Sequence, residues 1–349
     1  MHMSDALVSP QVGAVMWGAT AVVAGYCAKK VREEADESTI PLMAVSGAFV
    51  FAAQMLNFSI PGTGSSGHLG GGLLLAVLLG PHAAFLVMAS ILGVQALFFG
   101  DGGLLALGAN VFNLGFFPAF VAYPLIYEKI LGDNPTTGRI VTGSMLGAIA
   151  ALLMGALAVV LETTLSNVTE LPFGTFLAFM LPIHLVIAVI EGLVTAGVVV
   201  FVYKAQPEIL SRAPRSEPLR GLKLKPVLVT LVVAAVVAGA VIAGFASSDP
   251  DGLEWSIAGV AGKAGITGAS ETEVHEDLAA VQDRTAVLPD YDLPASRAGS
   301  ADEEGPGTWS AADAGTSAAG ILGSVAVLGI VALIGLALRK RSRTHERVA

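Results

Sequence analysis

Residues 175–203 read TFLAFMLPIHLVIAVIEGLVTAGVVVFVY, and Glu191 is the only charged side chain among them. About 20 mostly apolar residues in a helix cross a bilayer, so this stretch reads as a membrane-spanning helix. Comparable stretches occur at 9–28, 40–57, 83–99, 104–127, 140–161, 226–246 and 321–338. A shorter run, 69–80, lies between a Gly-rich loop and Gly80-Pro81, and reads as a short or partly re-entrant helix. The composition agrees: 13% of the 349 residues are charged and 54% hydrophobic, where a soluble domain averages about 25% charged. The expected fold is an all-α polytopic membrane protein, a seven-segment helical bundle plus two further transmembrane helices. Gly and Pro within the spans are tolerable, because neighbouring helices can satisfy the freed backbone groups.

Lys and Arg set the expected orientation, since they concentrate in cytoplasmic loops. With the N-terminus external, segments 29–39, 128–139, 203–225 and 339–349 face the cytoplasm and hold 16 of the 19 basic residues. The first helix can then insert with its basic flank AKKVREE inside, and needs no cleaved signal. The expected location is the plasma membrane, multi-pass, with a cytoplasmic C-terminus.

The chain divides into 1–203, a basic linker 204–225, and 226–349, in which two helices flank a polar loop, 247–320. That loop carries 14 carboxylates against three basic residues and loses apolar periodicity after about 265. It is expected to be mostly flexible, external and solvated. Cys27, the only cysteine, lies in an apolar run and excludes disulfides and cysteine-based metal sites.

The chain opens MHMSDALVSP, residues 1–10. A free α-amine on Met1, the backbone nitrogen of His2 and its imidazole can hold one divalent metal through small, unstrained chelate rings. One more imidazole completes a planar four-nitrogen set, which suits Ni(II) or Cu(II) better than tetrahedral Zn(II). His68, in SIPGTGSSGHLGGG (59–72), is the only imidazole of the first external loop after the N-terminus. Taken singly, each histidine reads as a polar tail or loop residue. Their expected co-location on one side of the membrane beside a free amine favours metal. His82, His275 and His345 read as a helix-end residue and two loop or tail residues.

At these positions the sequence resembles the CbiM/NikM family, the substrate-binding membrane components of energy-coupling-factor (ECF) nickel and cobalt transporters. The matching stretches are MHMSDALV, GSSGHLGGG and QALFFGDGGLLALGANVFNLGF (95–116). DPDGLEWSI at 249–257 resembles the PDGLE domain of NikN-type partners, so the chain looks like a fusion of the two components. The resemblance implies an N-terminal segment inserted into the bundle centre and a metal held by Met1, His2 and His68. It also implies an ECF transmembrane coupling subunit and ABC-type ATPase subunits as partners. Ala6 departs from the family's usual Gly, and Met3 from a common Ile.

Asp5, Asn110, Asn113, His184 and Glu191 are the candidate supporting residues. Asn110 and Asn113 can bond across helices and brace the inserted tail. Glu191, the only intramembrane acid in this reading, is either functional, as costly charges in the bilayer tend to be, or a protonated side chain bonded to a neighbouring helix. No G-x-x-x-x-G-K-[ST] and no H-E-x-x-H is present, so no enzymatic activity is expected and ATP hydrolysis falls to separate subunits. The expected function is uptake of Ni(II) or Co(II) as cargo, with no resident cofactor, among lipid and without nucleic acid. The alternative is a stand-alone secondary transporter or channel for divalent cations.

Overall fold

A computed structural model of the chain describes residues 2–34, 37–215, 217, 219, 221–264, 272–293 and 314–346. Apart from the short helix Pro207–Arg212 and brief single turns, eleven helices organise them: α1 (Pro10–Glu34), α2 (Thr39–Gln54), α3 (Gly72–Leu79), α4 (Pro81–Phe99), α5 (Leu107–Leu131), α6 (Thr137–Ser166), α7 (Phe173–Ala205), α8 (Leu224–Phe245), α9 (Gly252–Ala264), α10 (Glu273–Thr285) and α11 (Ala314–Glu346). Seven of these, α1, α4, α5, α6, α7, α8 and α11, are long and apolar enough to cross a membrane. The protein is a multi-pass helical membrane protein.

The two shorter apolar helices depart from a full span for different reasons. Helix α3 has eight residues, all buried, ended on each side by a glycine with positive φ, Gly71 at 77° and Gly80 at 81°. A side chain at either position would strain the turn, and Pro81 then starts α4. Helix α2 has 16 residues, 14 of them buried. It packs against α4, α8 and α11, and it stops at Gln54, three residues short of the end of the expected span 40–57.

Glycines set the closest helix contacts. A Cβ on Gly108 of α5 would lie 2.5 Å from the Trp17 backbone nitrogen of α1. A Cβ on Gly320 of α11 would lie 2.4 Å from the Gly239 carbonyl oxygen of α8. Helix α11 then lays Val327 and Val331 over Gly47 of α2. Arg339, near the end of α11, pairs with Glu37 in the α1–α2 turn, so those two segments share one end of the bundle. Helix α5 opens into wide turns over Phe112–Tyr127, where Pro118 and Pro124 remove backbone donors.

At the opposite end, β1 (Phe58–Ile60) and β2 (Ser65–Gly67) form an antiparallel hairpin turned by PGTG, with Gly62 and Gly64 both at positive φ. The second part of the chain docks here. The expectation of a flexible, solvated loop over 247–320 is corrected: within it, α9 and α10 are formed and packed on the first part. Leu253 and Val260 of α9 are buried, and Trp255 donates to the Thr63 carbonyl at 2.9 Å. Ser66 donates its backbone N–H to the Pro250 carbonyl at 2.8 Å and its hydroxyl to the Asp249 carbonyl at 2.8 Å. Averaging charge over the whole loop hid two helices, α9 turning Leu253 and Val260 inward and α10 turning His275, Leu278 and Gln282. Residues 265–271 and 294–313 of that loop lie outside the described ones.

Candidate metal site

The N-terminal tail runs from the bundle interior to α1 along the loop between α4 and α5. Met3 is fully buried. Asn110 holds its peptide from both sides: Met3 N–H donates to Oδ1 at 2.8 Å, and Nδ2 donates to the Met3 carbonyl at 3.1 Å. Gly103 N–H adds a second bond to that carbonyl at 2.9 Å. One turn on, Asp5 accepts from Ala106 N–H at 3.0 Å. Burial pushes its carboxyl up from the ordinary range, and the Ala106 bond pulls the other way.

The Gly102-Gly103 pair makes this seat possible. Gly102 has φ of 77°, and a Cβ there would press on Asn110 Nδ2 at 2.9 Å and His2 Cβ at 3.4 Å. A Cβ on Gly103 would overlap the Asp5 carboxylate. The stretch DGGLLALGAN is therefore a cradle shaped to the tail.

His2 and His68 meet at the tail's tip. Their rings stack with centroids 5.1 Å apart and planes 12° from parallel. His2 Nδ1 lies 3.1 Å from Asp101 Oδ2, and its Nε2 is buried with no partner among the described residues. His68 Nδ1 lies 3.2 Å from the Leu69 carbonyl. The other ring nitrogen of His68 is Nε2. That Nε2 faces Asp251 Oδ2 across 3.8 Å.

Two carboxylates thus stand beside the two imidazoles, and sequence reasoning assigned neither to the site. Burial would raise the Asp101 carboxyl, but the His2 ring and the hydrogen bonds of His2 and Tyr291 bring it down to about 2. Asp251 comes from the PDGLE stretch. Its Oδ1 accepts from Leu253 and Glu254 N–H at 2.9 and 2.8 Å, and Glu254 accepts from Asp251 N–H at 3.1 Å. This reciprocal arrangement is a capping box, and it leaves Oδ2 turned toward His68. The D-x-x-E spacing was the sequence signal for it. Gly252 must be small: a Cβ would lie 3.1 Å from both His184 Cε1 and Ile187 Cδ1.

Glu191 fixes the loop that carries His68. Its two oxygens accept from Gly70 and Gly71 N–H at 2.8 and 3.1 Å, while Gln54 donates to the Gly70 carbonyl at 2.8 Å. Gln95 donates in turn to Gln54 at 3.0 Å. His184, buried in α7, bonds the Met180 carbonyl through Nδ1 at 2.8 Å. It lines a cavity of about 10 Å³ together with His68, Asp251, Gly67, Gly70 and Leu114, room for one water-sized particle.

Asn113 does not touch the tail. It donates to Glu162 Oε2 at 2.8 Å, because one helical turn beyond Asn110 it faces α6. Glu162 is a second buried acid, which corrects the reading of Glu191 as the only one. It stood just past the expected span end at 161. Each acid is tied to a separate partner. His275 caps α10 and bonds the Val8 carbonyl at 3.0 Å, and Gln282 of the same helix donates to the Ala96 and Gly102 carbonyls at 2.9 and 2.7 Å. Met1 lies outside the described residues. Among the described residues, no group of three His, Cys, Asp or Glu side chains is placed to hold a metal.

A tail sunk among membrane-spanning helices, its histidine stacked on a loop histidine, is what this multi-pass membrane protein builds at one end of its bundle. The chain matches the CbiM family, the cobalt uptake substrate-specific transmembrane region, over residues 2–209 and belongs to it. Residues 225–340 match the PDGLE domain. Over 353 aligned residues, 99% of this chain and all of the relative, it is 32% identical to a putative fused nickel transport protein NikMN of Archaeoglobus fulgidus. It is 35% identical to a putative metal transport protein of Haloquadratum walsbyi, over 60% of this chain and 93% of that one. A solved structure described as a transition metal transporter is 35% identical, with TM-score 0.53, and covers 63% of this chain and all of its own.

Proposed function

We propose that this chain is the substrate-specificity component of an ECF-type importer for transition-metal cations, with Ni(II) preferred and Co(II) second. The ligands in this reading are the Met1 amine, the His2 backbone nitrogen and imidazole, and His68. The N-terminus is external and the C-terminus cytoplasmic. A transmembrane coupling subunit and ABC-type ATPase subunits complete the importer and hydrolyse ATP.

The observation that carries the reading is the stacked His2–His68 pair at 5.1 Å, delivered by a tail whose Met3 peptide is bonded on both sides. A tail this firmly held contributes backbone atoms at fixed positions, which a planar chelate requires. His68 Nε2 and the Asp251 carboxylate, 3.8 Å apart, put a nitrogen and an oxygen donor side by side where a cation would bind. The names of the relatives, nickel and cobalt transport proteins, support the same cargo.

The deciding experiment adds one alanine before Met1, with its own initiator removed. The side chains stay, but the amine leaves the chelate ring, and ligand identity and geometry both fail. Nickel affinity, measured by titration calorimetry, should fall at least tenfold, about 1.4 kcal/mol. An extended protein that binds nickel normally overturns the chelate.

A further inference from the structure

We propose that Asp101, held by the Tyr291 hydroxyl from the second part of the chain, is the positioning residue that orients the His2 imidazole for its metal. This rests on the proposed chelate. The amine and amide nitrogens of a His2 chelate close a five-membered ring, and the amide and Nδ1 close a six-membered one. Nε2 lies too far round the imidazole to close either, so Nδ1 must be the ligand.

In the structure Nδ1 points at Asp101 Oδ2, 3.1 Å away, and the buried Nε2 has no partner among the described residues. A half-turn of the ring about Cβ–Cγ, with a tilt of the side chain, resolves both facts. The half-turn withdraws Nδ1 from the carboxylate and leaves Cδ2 in that place, so a tilt about Cα–Cβ must also carry Nε2–H to Asp101 while Nδ1 meets the metal. A carboxylate accepting from the distal nitrogen of a metal-bound imidazole fixes its tautomer and orientation. Asp101 has to stay in place through that turn, and Tyr291 supplies the anchor.

The Tyr291 hydroxyl donates to the same Oδ2 at 2.5 Å, and its ring stacks on Phe99 of α4 with centroids 4.8 Å apart. The turn that delivers it is unusual. Asp290 and Tyr291 have φ of 54° and 62°, two consecutive side-chain-bearing residues in the left-handed region. Such conformations persist only where the surroundings over-determine them, and they gather at sites where the geometry is used. Here the surroundings are Phe99 beneath the ring and Asp101 at its tip. The Val287 and Leu288 N–H groups, both bonded to the Phe98 carbonyl at 2.8 and 3.2 Å, fix the approach of the segment.

The test is calorimetric titration of NiCl2 into the full-length protein and three variants, Tyr291→Phe, Asp101→Asn and the double change. Tyr291→Phe keeps the ring on Phe99 and removes the hydroxyl, which bonds Asp101 and also Gln95, so the comparison with the double variant isolates the Asp101 anchor. The expected result is a three- to tenfold weaker nickel affinity in Tyr291→Phe, a larger loss in Asp101→Asn, and no further loss in the double variant. The d–d absorption of the bound nickel should shift in Tyr291→Phe as the imidazole reorients. Unchanged affinity and spectrum in Tyr291→Phe overturn the proposal, even if its thermal stability falls. So does an equal additional loss in the Asp101→Asn background, because Tyr291 would then act independently of the carboxylate. A wild-type protein that takes up no stoichiometric nickel would instead overturn the chelate beneath it.

Discussion

Asp251 caps a helix of the second part of the chain with one carboxylate oxygen and faces His68 of the first part with the other, 3.8 Å from Nε2. One side chain thus joins local folding to the site across 183 residues of sequence. The two roles separate experimentally, because serine is also a good N-cap. Asp251→Ser should keep α9 and its docking but weaken nickel binding three- to tenfold, about 0.7–1.4 kcal/mol. Calorimetry on the full-length protein checks this, and unchanged affinity would reduce Asp251 to a cap.

His68 is the loop imidazole of the proposed chelate, and His184, which lines the same cavity, is tied through Nδ1 to the Met180 carbonyl. His68→Ala should abolish stoichiometric Ni(II) binding while the protein still purifies as a folded species. An affinity retained within about threefold, roughly 0.7 kcal/mol, would remove it from the ligands.

Glu191 accepts two backbone N–H groups of the His68 loop, and Glu191→Gln turns one of those acceptors into a donor. A buried N–H left without a partner costs about 1–3 kcal/mol. Thermal unfolding of the variant should show a loss of that order, and nickel binding should weaken as His68 loses its fixed place. A variant as stable as the parent would mean the loop holds itself.

The first part alone resembles shorter metal transport proteins in its length, so truncation after Lys204 is a fair probe. The shortened protein should still bind nickel, three- to tenfold more weakly, because Asp251 and the Tyr291 anchor go with the second part. Complete loss of binding in a well-folded truncation would show that the second part supplies an indispensable ligand.

Much of this was readable from sequence because membrane spans are written in length and hydropathy. Runs such as 140–161 and 175–203 can be little else, and Gly80-Pro81 already announced the break after α3. His2 and His68 stood out because chelation depends on local spacing and on which loop a residue occupies. Asp101 and Tyr291 did not, since their partnership is purely tertiary and spans 190 residues. The Asn110–Asn113 pair shows the same limit. Both asparagines face inward, yet only the direction of each side chain sends one to the tail and the other to Glu162. The α9 start was legible in D-x-x-E, but a loop average dominated by carboxylates concealed it.

Helix α2 carries a consequence for the lipid around the protein. Sixteen residues rise about 24 Å, against a hydrocarbon thickness of about 30 Å, and a span that is too short normally thins the bilayer or recruits neighbours. Here α8 and α11 lie along α2, with Val327 and Val331 set over Gly47. The hydrophobic mismatch is therefore absorbed by protein, and acyl chains next to the fused chain meet the full-length helices instead. A first part expressed without its companion exposes the short helix, so its behaviour should depend on membrane thickness in a way that the fused chain's does not.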